Sequence, residues 1–168
     1  MGLLEERTAS TDSSGGQDGD LRPDHDADVT APLPGISPRM RDRRSFFDAL
    51  APKRDRFKAR RWYYYEYLGA FMRFVVPPGQ RVLELGCGTG DLLATVKPAF
   101  GVGMDISLAM LEIARGKYPY LHFVQADAHC LALTGTLDYI ILSDLVGDLD
   151  DVQEAFTCLR ALAGPKPV

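Results

Sequence analysis

Four short stretches carry residue types that could do chemistry together. The first is "RVLELGCGTGDLL", Arg81 to Leu93, where Glu84 leads into Gly86, Gly88 and Gly90 at alternate positions and Asp91 closes the turn. A glycine turn between a strand and a helix offers backbone N–H groups to an anion or a nucleotide. A dinucleotide loop counts GxGxxG, and from Gly86 its third glycine would fall at Asp91. A carboxylate there would repel a pyrophosphate. Acids on both sides of the turn suit instead a ligand without phosphates whose charged end is an amino acid. An acid would meet its ammonium group, and amides of the turn its carboxylate. The other three stretches hold Asp105, Asp127 and the pair Ser143-Asp144. At a strand end, Asp105 is placed to accept from both hydroxyls of a ribose, and Asp127 from the amino group of an adenine.

Such residues work only if the chain brings them to one edge of a sheet, and the pattern predicts that it does. Strands are expected over 81–85, 101–106, 121–126 and 137–142. Helices are expected over 91–97 (stopped by Pro98), 108–117 (capped by Ser107, with Met110, Leu111 and Ala114 on one face) and 150–162 (ending at Gly164). Residues 128–136 read as an irregular link. Near-continuous apolar strands spaced by helices argue for an α/β fold, a Rossmann-like parallel sheet covered on both faces. Ligands of such sheets sit at the carboxyl ends of the strands. Gly86 to Gly90, Asp105-Ile106, Asp127-Ala128 and Ser143-Asp144 all fall there.

The charge divides the chain in three. Residues 1–38 carry eight acids against Arg7 and Arg22, and are rich in Ser, Gly and Pro. They cannot bury enough apolar area to offset the entropy of ordering, and a disordered acidic tail is expected. Residues 39–61 carry ten Arg or Lys against Asp42, Asp48 and Asp55, a net of +7. This basic segment, part of a helical region over 39–78, reads as surface helices with solvated charged faces, or as a patch for nucleic acid or anionic lipid. In the first reading Phe46, Phe47 and Leu50 dock, then Phe57, Trp62 and Tyr65 after a break at Pro52; Pro77, Pro78 and Gly79 end the region. Residues 79–168 form the binding domain.

Composition excludes several classes. The 168 residues suffice for one domain with a core, and a net charge of −4 gives no overall footprint for nucleic acid. Cys87, Cys130 and Cys158 are odd in number and far apart, so neither a disulfide framework nor a metal site is expected. No apolar run reaches the ~20 residues of a membrane helix, and the acidic start has no signal-peptide core. A cytoplasmic protein without membrane contact is expected.

The quoted stretches resemble a known family. "VLELGCGTGDLL" looks like the first motif of the class I S-adenosylmethionine-dependent methyltransferases, "GVGMDISLAMLEIAR" is similar to their second and "FVQADAHCLAL" to their third. "LDYIILSDLVGDLDDVQEAFTCLRAL" resembles the segment around their fourth strand. The resemblance runs from about Arg39 to the C-terminus and implies an enzyme that moves a methyl group from S-adenosyl-L-methionine to an acceptor. It implies that Glu84, Gly86, Cys87, Gly88 and Gly90 border the methionine part of the cofactor. It also implies that Asp105 holds the ribose with Ile106 and Met110 beside the adenine, that Asp127 and Ala128 read the adenine edge, and that Ser143 lines the floor near the sulfonium. The loop "SDLVGDLDD" lacks the Asn/Asp-Pro-Pro-Tyr/Phe signature of enzymes that methylate nucleic acid bases, which favours a small-molecule acceptor.

Other readings stand beside these. Asp105 and Asp127 could serve only as turn formers. Cys87 reads as a small filler between glycines rather than a nucleophile, and His129 as a surface or adenine-edge histidine rather than a base. His122 lies away from the site, and His25 in the tail. One or two rings of Tyr63 to Tyr65 can face inward. No catalytic base is identified; Asp144 is the acid nominated for the acceptor side. The family's sheet has seven strands and the chain stops at "GPKPV", so either a fragment or a natural short form is expected, with an apolar edge at the fourth strand that could pair with another copy. A non-catalytic cofactor- or partner-binding module, and a methyltransferase acting on RNA or protein through the basic segment, are the alternatives.

Overall fold

A computed structural model describes residues 37–128 and 136–162. The acidic tail, His129, Cys130 and Gly164 lie outside these residues, as does most of the irregular link.

Two helices come first. Helix α1, Pro38–Arg60, starts where Ser37 accepts a hydrogen bond from the Met40 N–H at 3.1 Å and Pro38 takes the first helical position. It runs through Pro52, where the sequence led us to expect a break. Proline cannot donate to the Asp48 carbonyl, but tertiary contacts hold the turn on either side of the gap. The Asp48 carboxylate accepts from the Ser107 hydroxyl at 2.6 Å and the Ala109 N–H at 3.3 Å, and Ala51 is buried. The break falls instead at Arg61, whose φ of −116° leaves the helical range. Helix α2, Trp62–Val75, follows at once.

The expected docking residues of this region are also corrected. Phe46, Phe57 and Trp62 are exposed, while Met40 and Ala51 are buried and Phe47, Leu50 and Tyr65 half-buried. The inward stripe of α1 runs through Met40, Arg43, Phe47, Ala51, Arg54 and Lys58, so the helix meets the domain through apolar and charged side chains alike.

The domain alternates strand and helix as expected: β1 Arg81–Leu85, α3 Asp91–Thr95, β2 Phe100–Asp105, α4 Leu108–Lys117, β3 His122–Gln125, β4 Tyr139–Leu142, a 3₁₀ turn Val146–Asp148 and α5 Val152–Leu162. All strand pairs are parallel, in the order β3-β2-β1-β4. Among the described residues β4 is an edge strand. Each β1 residue points to the face opposite its neighbour's. Val82 joins Leu93, Leu111, Ala114 and Phe123 in one core cluster, and Leu83 and Leu85 join Val102, Met104 and Leu159 in the other.

Gly103, in β2, shows how tightly the first cluster is packed. It pairs with Glu84 in register, and a Cβ there would lie 2.8 Å from both the Cys87 Sγ and the Phe123 ring. Gly103→Ala should therefore cost about 1–3 kcal/mol through overpacking. Urea denaturation should show a lower midpoint at unchanged m-value.

Candidate functional site

Two adjoining clefts open at the carboxyl ends of the strands, one on each side of the glycine turn. The first is open to solvent at its mouth. Its walls include Gly86, Gly88, Asp105, Ile106, Met110, Ala128 and Ser143 from the domain, and Met40, Arg43, Phe47 and Arg54 from α1. The second is walled by Glu84, Gly86, Cys87, Gly88, Asp91 and Ser143 with Arg54, Lys58, Trp62, Tyr65 and Leu68. Asp144 reaches both. Gly90 and Asp127 line neither. Gly90 sits at φ +79° as the N-cap of α3, and a Cβ there would lie 2.9 Å from the Phe123 ring; its place is in the packing.

The turn is held from inside. The N–H groups of Gly86 and Cys87 donate to the Met104 carbonyl at 2.8 and 3.0 Å, and that of Gly90 to the Cys87 carbonyl at 2.9 Å. The Gly88 N–H donates to Asp105 Oδ2 at 2.7 Å, and the Ser107 N–H to Oδ1 at 2.9 Å. Asp105 thus ties the turn to the end of β2. A carboxylate has about four acceptor positions, so each oxygen keeps one for a hydroxyl in the cleft. A Cβ on Gly88, at φ +53°, would meet nothing within 4 Å: the space above the turn is open. With four amides engaged internally, Arg54 and Lys58 are the cations of the second cleft that a ligand carboxylate would meet.

Glu84 lies beneath the turn. It is buried, and its Oε2 accepts from the Leu93 N–H of α3 at 2.9 Å. Burial pushes its carboxyl up to about 8, against the lowering pull of the Lys58 charge and the Leu93 bond. Burial also pushes the Cys87 thiol well up, which keeps it neutral and fits a filler rather than a nucleophile. Burial raises Asp105 too, against the two backbone bonds.

A polar network clamps α1 to the turn. Lys58 donates to Asp91 at 2.7 Å and to the buried Thr89 hydroxyl at 3.0 Å, and Thr89 donates to Asp55 at 2.8 Å. Lys117 bridges Asp55 and Asp91, and the Tyr118 hydroxyl donates to Asp91 at 2.7 Å. For Asp91, burial is outweighed by these donors, chiefly Lys117 and Lys58, and its carboxyl falls to about 2.

The start of α1 spans the first cleft. Arg43 pairs with Asp148, Arg39 lies 3.3 Å from Asp150, and the Ser37 hydroxyl donates to Asp150 at 2.5 Å. They draw the 3₁₀ turn over the cleft, with Leu145 3.0 Å from where a Cβ on Gly86 would stand. Asp144, at φ +56°, accepts from the Tyr64 hydroxyl at 3.1 and 3.3 Å. Sequence reasoning missed Met40, Arg43, Arg54 and Lys58. Their spacing follows a helical period, but alternating Arg with Met and Ala leaves no apolar stripe to see.

Fold and site together define a Rossmann-like α/β protein whose ligand cleft lies at the strand ends, beside the first strand. A family profile described as a methyltransferase domain matches residues 82–166, half of the chain, and the chain belongs to that family. The resemblance of the four motifs to class I S-adenosylmethionine-dependent methyltransferases holds. The ubiquinone/menaquinone biosynthesis C-methyltransferase UbiE of Vibrio campbellii is 33% identical over 100 residues, which cover 52% of this chain and 39% of that one. The chain thus aligns with about two fifths of that relative's length. Among solved structures, S-adenosylmethionine-bound CalS10, an amino pentose methyltransferase from Micromonospora echinaspora involved in calicheamicin biosynthesis, superposes with a TM-score of 0.50 at 27% identity, over 60% of this chain and 45% of that one. DesVI of Streptomyces venezuelae shares the fold with a TM-score of 0.60 at 23% identity, over 68% and 53%.

Proposed function

We propose that this chain binds S-adenosyl-L-methionine and takes part in methyl transfer to a small-molecule acceptor. The observation that carries the reading is Asp105: its carboxylate stands in the wall of the first cleft, fixed by Gly88 and Ser107, with acceptor positions left for a ribose diol. Ile106, Met110, Ala126 and Ala128 supply apolar walls for an adenine ring. Arg54 and Lys58 in the second cleft supply charges for a ligand carboxylate, and Glu84, kept neutral by burial, leaves its polar oxygens at the base of that cleft. Asp127 stands between two residues of the first cleft's wall, Ala126 and Ala128, and Gly90 caps α3 behind the turn.

When bound, the cofactor supplies a methyl group on a sulfonium already activated for displacement. The chain's residues need to align an acceptor with it and keep water out. Trp62, Tyr65 and Leu68 wall the second cleft for an acceptor, with Ser143 on the floor between the two clefts. Asp144, steadied by Tyr64, is the acid at that side able to hold an acceptor's proton.

Calorimetric titration tests this reading. S-adenosylmethionine or its demethylated product should bind, and nicotinamide dinucleotides should not, because Asp91 stands where a pyrophosphate would need a glycine. Tighter binding of the dinucleotide would sink the proposal.

A further inference from the structure

Helix α2 has two faces of different character. One packs on the domain: Tyr65, Leu68 and Met72 are half-buried, Gly69 is buried, and a Cβ on Gly69 would lie 3.1 Å from the Thr95 methyl group of α3. The opposite face carries Tyr63, Tyr67, Phe71 and Phe74 at i, i+4, i+8 and i+11, an arc of roughly 80° on a helix. These four rings are 71%, 69%, 51% and 86% exposed. Aromatic side chains carry large apolar areas, and four on one helix face make a patch of the size that marks a contact surface.

The charge leading into this stripe is basic. Lys53, Arg56 and Arg60 are exposed on the outward side of α1, and Arg61 is exposed at the break just before Trp62. The nearby acids have cations of their own: Asp55 is bound by Lys117, and Glu66 lies 3.6 Å from Arg73. Within the stripe the polarity falls along the helix, from two tyrosines to two phenylalanines. Exposed bases leading into an uncharged ring face suit a helix lying on an anionic surface, with the bases at the lipid phosphates and the rings at the acyl boundary. Single-stranded nucleic acid asks for a different pattern, with bases interleaved among the stacking rings. Here the only base among the rings, Arg73, is paired with Glu66.

We propose that the outer face of α2 and the basic end of α1 form a peripheral docking surface for an anionic lipid bilayer. No helix among the described residues is long and apolar enough to cross a membrane, so the contact lies in the interface plane. The sequence-based expectation of no membrane contact rested on the missing span, which does not bear on surface contact.

The test uses the 168-residue chain with vesicles of phosphatidylcholine alone and of phosphatidylcholine with phosphatidylglycerol. Trp62, the single tryptophan and 67% exposed, reports contact. Its emission should shift to the blue and lose iodide quenching on anionic vesicles, and co-sedimentation should be at least tenfold stronger there than on neutral ones. Each surface base adds roughly fivefold on anionic lipid, so Arg56→Glu with Arg60→Glu and Arg61→Glu should weaken partition by about a hundredfold or more. Tyr67→Asp with Phe74→Asp should weaken it at least tenfold while far-UV circular dichroism stays unchanged, since both side chains are exposed. Equal partition on the two vesicle types would overturn the proposal, as would partition indifferent to the ring variants. So would either of two results in the absence of vesicle binding: self-association abolished by the ring variants, or tight salt-sensitive binding of single-stranded RNA.

Discussion

The ligand-free chain should lose several kcal/mol of stability between about pH 5 and about pH 8.5, and Glu84→Gln should remove most of that loss. Burial holds the Glu84 carboxyl at about 8, up from an ordinary 4.5. Below the ordinary value both folded and unfolded chains carry the proton, and the stabilisation is complete. Above it the unfolded chain releases the proton while the folded chain keeps it, so stability falls until the folded group ionises near 8. A gap of that size corresponds to roughly 4–5 kcal/mol as an upper figure. Asp105, also raised by burial, acts in the same direction. Asp91, brought down to about 2, matters only in acid, where stability is lost as it protonates. Glutamine retains an oxygen for the Leu93 N–H, so the variant keeps the hydrogen bond without the titration. Urea denaturation of both proteins at the two pH values decides the matter; a flat wild-type profile would show that Glu84 is ionised and hydrated in the folded state.

Asp105→Ala should weaken S-adenosylmethionine binding by roughly 10- to 150-fold, about 1.5–3 kcal/mol for charge-assisted bonds to two hydroxyls. The structure adds a second effect, because the same carboxylate anchors Gly88 and Ser107. Loss of both acceptors should also lower stability, so the fold is less indifferent to this residue than a strand-end position suggests. Asp105→Asn separates the two roles, since it keeps one acceptor oxygen and removes the charge. Calorimetry on both variants, with denaturation as a control, reads them apart. Wild-type affinity in the asparagine variant would reduce Asp105 to a turn former.

Much of the fold was legible because it rests on local signals. The four strands are apolar runs closed by glycine, proline or aspartate, and Ser107 caps α4 as its position suggested, accepting from the Met110 N–H at 3.2 Å. The acids at strand ends were legible for the same reason. What stayed hidden depends on contacts between distant residues. Pro52 reads as a helix breaker until Asp48 and Ala51 are seen to be anchored to the domain. The stripe Arg43, Arg54, Lys58 reads as solvated charge until Asp148, Asp105 and Asp91 are placed opposite. Glu84 reads as a ligand contact at the turn, and only packing shows that its Oε2 is also taken by the Leu93 N–H of α3. The turn amides read as donors for a ligand, and only the closeness of Met104 and Asp105 shows where they are spent.

The clamped glycine turn bears on the kinetics of recognition. Four of its amides are engaged within the chain, and the Thr89 hydroxyl is held between Asp55 and Lys58. The ordering of that segment therefore belongs to the folding of the chain, and little further entropy is lost when a nucleoside enters. Affinity should then follow the cleft walls, and the speed of entry and exit should follow the ion pairs of Arg43 with Asp148 in the 3₁₀ turn and of Arg39 with Asp150 just beyond it. These pairs are partly exposed and therefore screened by salt. A rigid cradle behind an electrostatically tethered cover should make residence time, more than equilibrium affinity, the property that ionic strength controls.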